Sequence, residues 1–201
     1  MFRSTVFSIC LVLAWTLCFA LISDAADTRP KTISLPKPDT LGGKPLMQAL
    51  SLRKSDRTFS TRSLSDQDLS NLLWACWGVN RSDGRRTVPT AQNSQRVAVY
   101  VALETGVWLY DGAKNELTLA LEDDTRRKFG NWPTTLLFAA PGDDRAAGMH
   151  VGSLYQNAGL YCASAGLSNV VKLTGSDALD GILKLPQGYK VFVVHSIGYP
   201  Q

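Results

Sequence analysis

Cysteine, histidine and surplus charge are all scarce in this chain. Four Cys among 201 residues are too few for a disulfide-stapled mini-protein. The two histidines, His150 and His195, stand at no ligand spacing from another His, Cys or carboxylate, so no metal site is expected. There is no G-x-S-x-G elbow, which argues against a Ser-His-Asp hydrolase. The dinucleotide fingerprint and the P-loop are missing too, which argues against nucleotide binding of the usual α/β kind. Twenty-one basic against seventeen acidic residues leave a net charge of only +4, too little to indicate a nucleic-acid partner. Apolar residues at 45% and charged residues at 19% exclude a disordered polymer, and long apolar runs are too few for a polytopic membrane protein.

One apolar run stands at the N-terminus. After Arg3 no charged residue occurs until Asp24, and Val6 to Ile22 is almost wholly apolar. A basic start, an apolar stretch and a small-residue exit at Ser23 to Ala26 read as a secretory signal peptide over residues 1–25, with cleavage after Ala25. An uncleaved N-terminal membrane anchor is the alternative. The expectation is an exported protein, periplasmic or secreted, with no stable membrane insertion once the signal is removed. Cleavage leaves 176 residues, enough for one domain with its own core. Cys76 and Cys162 remain in an oxidising compartment. Each sits among apolar neighbours, so buried thiols and a disulfide are both open, the thiols favoured.

Residues 26–44, with Pro30, Pro36 and Pro38, read as an extended leader, and residues 45–201 as a single domain. A short helix passes through Met47, Leu50 and Leu52. A second begins at Ser65 with Asp66 and Asp68, and its Leu69, Leu72, Leu73, Cys76 and Trp77 fall at helical spacing before Gly78. Strands are expected at Val97–Leu103, Val107–Tyr110, Leu117–Leu121, Thr134–Ala140, Val170–Leu173 and Val191–Ile197. A helix over 146–166, buried on most sides, is expected to end at Gly166. The pattern is α+β.

The basic residues that do exist are clustered. Arg53, Lys54 and Arg57 surround Ser55, and Arg81, Arg85 and Arg86 open the loop RTVPTAQNSQ. Guanidinium forks around a hydroxyl suit a phosphate monoester, while a solvated helix end is the plainer reading. His195, inside VFVVHSIG, reads as a strand histidine with a satisfied ring.

The order of motifs resembles the nitroreductase family of flavin enzymes, from about Leu46 to Pro200. PLMQALSLRKSDRTFS is similar to the family's R-R-S-x-R-x-F segment, and LSDQDLSNLLWACWGVNR to the helix that follows. RTVPTAQNSQ is similar to the P-S-S-x-N-x-Q loop, and GSLYQNAGLYCASAGLSNVV to the central helix ending in G-L. LPQGYKVFVVHSIGYP is similar to the last core strand and its G-Y-P ending. The hairpin ETGVWLYDGAKNELTL most resembles the azoline-dehydrogenase branch.

The resemblance implies an antiparallel-dominated sheet flanked by helices, a homodimer with flavin at the subunit interface, and FMN as cofactor. It implies hydride transfer by a ping-pong mechanism between a small-molecule electron donor and an organic acceptor. It places the FMN phosphate at Arg53, Lys54, Ser55 and Arg57, and the flavin ring and ribityl chain at Pro89, Thr90, Ala91, Asn93 and Gln95. A backbone N–H to the ring falls near Thr174 and Gly175. No catalytic acid or base is implied. Thr90 and Ala91 stand in place of two serines. The chain closes at Gln201, without the family's C-terminal extension and its additional phosphate contacts. Free NAD(P)H is also not expected outside the cytoplasm. A degenerate member without flavin, serving as a binding or structural subunit, is therefore the alternative.

Overall fold

A computed structural model describes residues 31–201. The expected signal peptide lies outside the described residues. The strands are β1 (Thr32–Ser34), β2 (Ala98–Leu103), β3 (Gly106–Asp111), β4 (Glu116–Leu121), β5 (Thr134–Pro141), β6 (Ser168–Lys172) and β7 (Tyr189–Gly198). The helices are α1 (Leu46–Leu52), α2 (Asp66–Trp77) and α3 (Ala147–Ala165). All seven strands join one sheet in the order β1-β4-β3-β2-β5-β7-β6, antiparallel at every pairing, so the α+β class holds.

Local chemistry explains the turns. Gly106 takes φ +132° between β2 and β3, where a Cβ would lie 2.4 Å from the Leu121 carbonyl. Between β3 and β4, the Asp111 carboxylate accepts from the Ala113 and Lys114 amides at 2.9 and 3.2 Å.

β5 is buried along its whole length because both faces of the sheet are covered. On one face Leu136 and Phe138 meet Leu72, Leu73, Cys76, Leu154 and Ala158 of α2 and α3. On the other, Leu137 and Ala139 lie under Phe129, from the short 3-10 helix Arg126–Phe129, and Leu179 and Leu183, from a connecting segment. A fully buried Leu such as Leu72 contributes about 1.5–3 kcal/mol.

α2 is capped as its sequence suggests. The Ser65 side chain accepts from the Asp68 amide at 3.0 Å, and two aspartates occupy the positive first turn. α3 stops where Gly166 turns left-handed at φ +73°. Two expectations change. α3 is not buried on most sides: Ala147, His150, Val151, Leu154, Ala158 and Cys162 form one stripe, while Met149 is exposed, because a helix on a sheet covers only one face. The leader, over 31–44, is extended but not separate from the domain. β1 pairs with β4, whose outer edge would otherwise leave a row of backbone groups unpaired. Asn115 Nδ2 donates to the Pro36 carbonyl at 2.8 Å, and the Asp39 amide donates to Asn71 Oδ1 at 2.7 Å. The strap thus crosses α2 and ends on α3, where the Lys44 amide donates to Ser164 Oγ at 2.7 Å.

Candidate functional site

α1 runs directly into the basic segment. The Arg53 amide still donates to Ala49 at the end of α1, and two bonds then fix the chain that follows. The Asp56 amide donates to the Asn169 carbonyl of β6 at 2.8 Å, and the Ser60 amide to the Tyr199 carbonyl at 2.8 Å. Phe59 stacks on Trp132, ring centroids 3.8 Å apart. The Arg53 stem lies against α3: a Cβ on Gly159 would sit 3.9 Å from its Cγ and Cδ.

The charges of this segment are unequal. Lys54 Nζ sits 3.5 Å from Asp56, and both are solvated, so their attraction is screened. The Asp56 carboxyl is held below the usual carboxylate range, first by the Thr58 hydroxyl and amide and only then by Lys54. Arg53 and Arg57 enter no ion pair among the described residues. With exposed Ser55 between them, they are the cations free to meet an anion.

The second basic cluster is bonded largely within its own loop. Arg86 Nη1 donates to the Trp77 carbonyl at 2.7 Å, Nε donates to Gln95 Oε1 at 2.8 Å, and the guanidinium lies 4.4 Å from the Trp77 ring centroid. Burial pulls its pKa down. Arg81 donates to Asn80 and to the Arg86 carbonyl, and Arg85 faces Asp83 at 3.5 Å. These arginines fasten a loop to the end of α2.

Residues 89–95 form that loop. Gln92, Asn93 and Gln95 all hold left-handed φ, at 53°, 53° and 48°, which is costly for residues with a Cβ. Pro89, Ala91 and Asn93 are exposed and Thr90 is half-buried. The Gln95 side chain is bonded within the loop. Its Nε2 donates to Gly84 O and Asn93 Oδ1 at 3.2 and 3.0 Å, so both amide protons are used inside the loop. Asn93 thereby has its amide oriented. Sequence reasoning missed a further residue, His150, whose Nε2 accepts from the Ala91 amide at 2.8 Å. A histidine inside the apolar stripe of a helix was the available signal.

Thr174 and Gly175 follow β6 in a separate turn. Gly175, at φ +82°, neighbours Lys128 and Phe129, and no hydrogen bond among the described residues joins this turn to 53–57 or 89–95. The two principal groups both rest on α3: Arg53 at Gly159 and Ala91 at His150, about 14 Å apart at 1.5 Å per residue.

His195 is fully buried. One ring nitrogen meets Asn169 Oδ1 at 3.0 Å, while Nδ1 has no partner, so the ring is half satisfied rather than fully so. Burial lowers its pKa to about 3. Cys76 and Cys162 are free thiols in the α2–α3 seam, and burial pushes both pKa values up.

The fold is an antiparallel α+β sheet backed by a central helix, which carries a basic Arg-x-Ser-x-Arg segment and a strained polar loop. Residues 50–199 match the sequence profile described as the Nitroreductase family, and the chain belongs to that family. A candidate nitroreductase of Ralstonia eutropha JMP134 is 35% identical and superposes with a TM-score of 0.80, over 87% of this chain and 91% of that one. A candidate nitroreductase of Methanocaldococcus jannaschii is 27% identical over 151 residues, 62% of this chain and 76% of the relative. The structure of a nitroreductase with bound FMN from Bacteroides fragilis shares the fold at 14% identity, with a TM-score of 0.56 over 79% and 89% of the two chains.

Proposed function

We propose that this protein is an exported, homodimeric, FMN-dependent oxidoreductase passing hydride or electrons from a small-molecule donor to an organic acceptor in two half-reactions. The observation that carries the reading is the pair of unpaired guanidiniums, Arg53 and Arg57, around Ser55 on a segment seated against the central helix. These residues fit a phosphate monoester, since the forks are exposed and no carboxylate of the described chain claims them. Arg53, Ser55 and Arg57 hold the phosphate, with Lys54 as a solvated outer charge. Asn93, oriented by Gln95, addresses the ring edge with the backbone of Pro89, Thr90 and Ala91. Thr174 and Gly175 supply a backbone N–H toward the ring from a turn that shares no hydrogen bond with the other two segments among the described residues.

Bound FMN supplies the hydride chemistry, and the protein supplies binding, orientation and exclusion of water. No side chain of the candidate site is assigned a proton. The dimer is supported by α1, where Leu46 and Met47 are 64% and 75% exposed and Leu50 and Leu52 nearly half exposed; an apolar helix face of this kind calls for a cover. Export rests on the composition of residues 1–25. A flavin-free binding subunit is the second reading, favoured by the internal use of Arg86 and Gln95.

The visible spectrum of purified protein after incubation with FMN tests the proposal. Flavin bands that stay with the protein through desalting are expected. A colourless protein at high micromolar FMN removes the flavin and leaves the second reading.

A further inference from the structure

We infer that His150 is the positioning residue of the 89–95 loop, acting as a hydrogen-bond acceptor that refers the loop to the central helix; its link to the flavin ring rests on the function proposed above. His150 lies in the buried stripe of α3 with Val151, Leu154 and Ala158, and the residue is 5% exposed, so packing fixes where its Nε2 points. That nitrogen accepts from the Ala91 amide at 2.8 Å. The other bonds near the turn are local. Asn93 N donates to Thr90 O, Ser94 N to Ala91 O, and Gln95 N to Thr90 Oγ1. The Arg86 and Gly84 bonds tie the loop's far end to its own stem. These contacts shape the loop without setting its height over α3.

The consequence follows from backbone strain. Gln92 and Asn93, at φ 53° each, come directly after Ala91, and their left-handed conformation persists only where neighbouring bonds enforce it. Releasing the Ala91 amide frees the turn to relax toward ordinary φ, and the Asn93 amide turns with it. Because Arg53 rests on the same helix at Gly159, His150 fixes the loop in the frame that also holds the phosphate segment. The chemistry required is an acceptor, so the neutral imidazole carries its proton on Nδ1. A Gln Oε1 can serve in its place; an aliphatic side chain cannot.

Three measurements decide this. In the wild-type apo-protein, ¹⁵N NMR of the imidazole is expected to show His150 as the Nδ1–H tautomer; an Nε2–H tautomer overturns the proposal without any variant. Amide exchange of residues 91–95 is expected to quicken about tenfold in His150→Leu and to stay near wild type in His150→Gln, with β5 amides unchanged in both. Unchanged exchange in His150→Leu overturns it. Finally, His150→Leu is expected to weaken FMN and riboflavin alike, about tenfold, with His150→Gln restoring both; a loss confined to FMN overturns it. Where wild-type protein takes no flavin, the flavin reading falls on that result, while tautomer and exchange still decide the role of His150.

Discussion

Arg86 Nε donates to Gln95 Oε1 at 2.8 Å, and that bond joins the two ends of the 86–95 loop. The guanidinium also holds the Trp77 carbonyl at 2.7 Å, so one side chain ties the loop to the end of α2. Arg86→Ala is expected to destabilise the fold by about 1.5–3 kcal/mol, the range for a part-buried charged hydrogen-bonding group. Arg86→Lys recovers little, because an ammonium cannot donate in both directions from one plane. Urea unfolding of the apo-protein measures this, and a change under 0.5 kcal/mol contradicts the structural role.

Arg53→Ala with Ser55→Ala separates phosphate recognition from ring recognition. Both residues are exposed and neither side chain closes a hydrogen bond or ion pair among the described residues, so stability should hardly change. FMN affinity is expected to fall roughly a hundredfold, the loss of two charge-assisted contacts, while riboflavin affinity stays within about twofold. Equal losses for the two ligands would remove the phosphate assignment.

His195 makes stability depend on pH. Its pKa is about 3 in the folded protein against 6.5 for the free side chain. Above pH 6.5 the ring is neutral in both states and contributes no slope. As pH falls through 6.5 the unfolded chain takes up a proton that the buried ring refuses. Stability then drops by about 1.4 kcal/mol per unit until pH approaches 3. The test is unfolding between pH 6 and 5, where most carboxylates are still ionised. His195→Gln should flatten that slope, and parallel slopes in wild type and variant would refute the assignment.

The thiols of Cys76 and Cys162 are protonated at neutral pH and shielded from solvent. Peptide mapping after alkylation should find neither modified in the native protein and both modified in guanidinium. Melting temperature should be the same with and without reductant, since both cysteines are free. Modification of either in the native state would show that the α2–α3 seam opens.

The exposed face of α1 yields a prediction about assembly. Met47→Glu with Leu50→Glu places charge on the surface assigned to a second copy while sparing the buried Ala49. Sedimentation should report a dimer for wild type and a monomer for the variant, with unchanged secondary structure. A variant dimer as tight as wild type places the interface elsewhere.

Much of the architecture was legible in the residues themselves. Helical spacing in Leu69 to Trp77, the Ser65 cap, Gly106 and the apolar run of β5 are local signals, and each element formed within a few residues of where it was read. The family was legible for the same reason, because its motifs are contiguous. Leader pairing was not, since three residues of β1 carry no pattern and join the sheet only because the edge of β4 is free.

The candidate site divides along the same line. Sequence by itself determined the basic segment Arg53 to Arg57, the polar loop Pro89 to Gln95 and the helix that carries them, because each is a contiguous stretch whose chemistry its own side chains declare. Only the tertiary structure decided which charges are available. Two clusters of cations look alike in sequence; each has one exposed ion pair, but only the second has an arginine, Arg86, held by Trp77 and Gln95. It also decided that His150 meets a backbone amide 59 positions away. Hydrogen bonds between distant segments depend on how layers pack, and that information lies in no single stretch of chain.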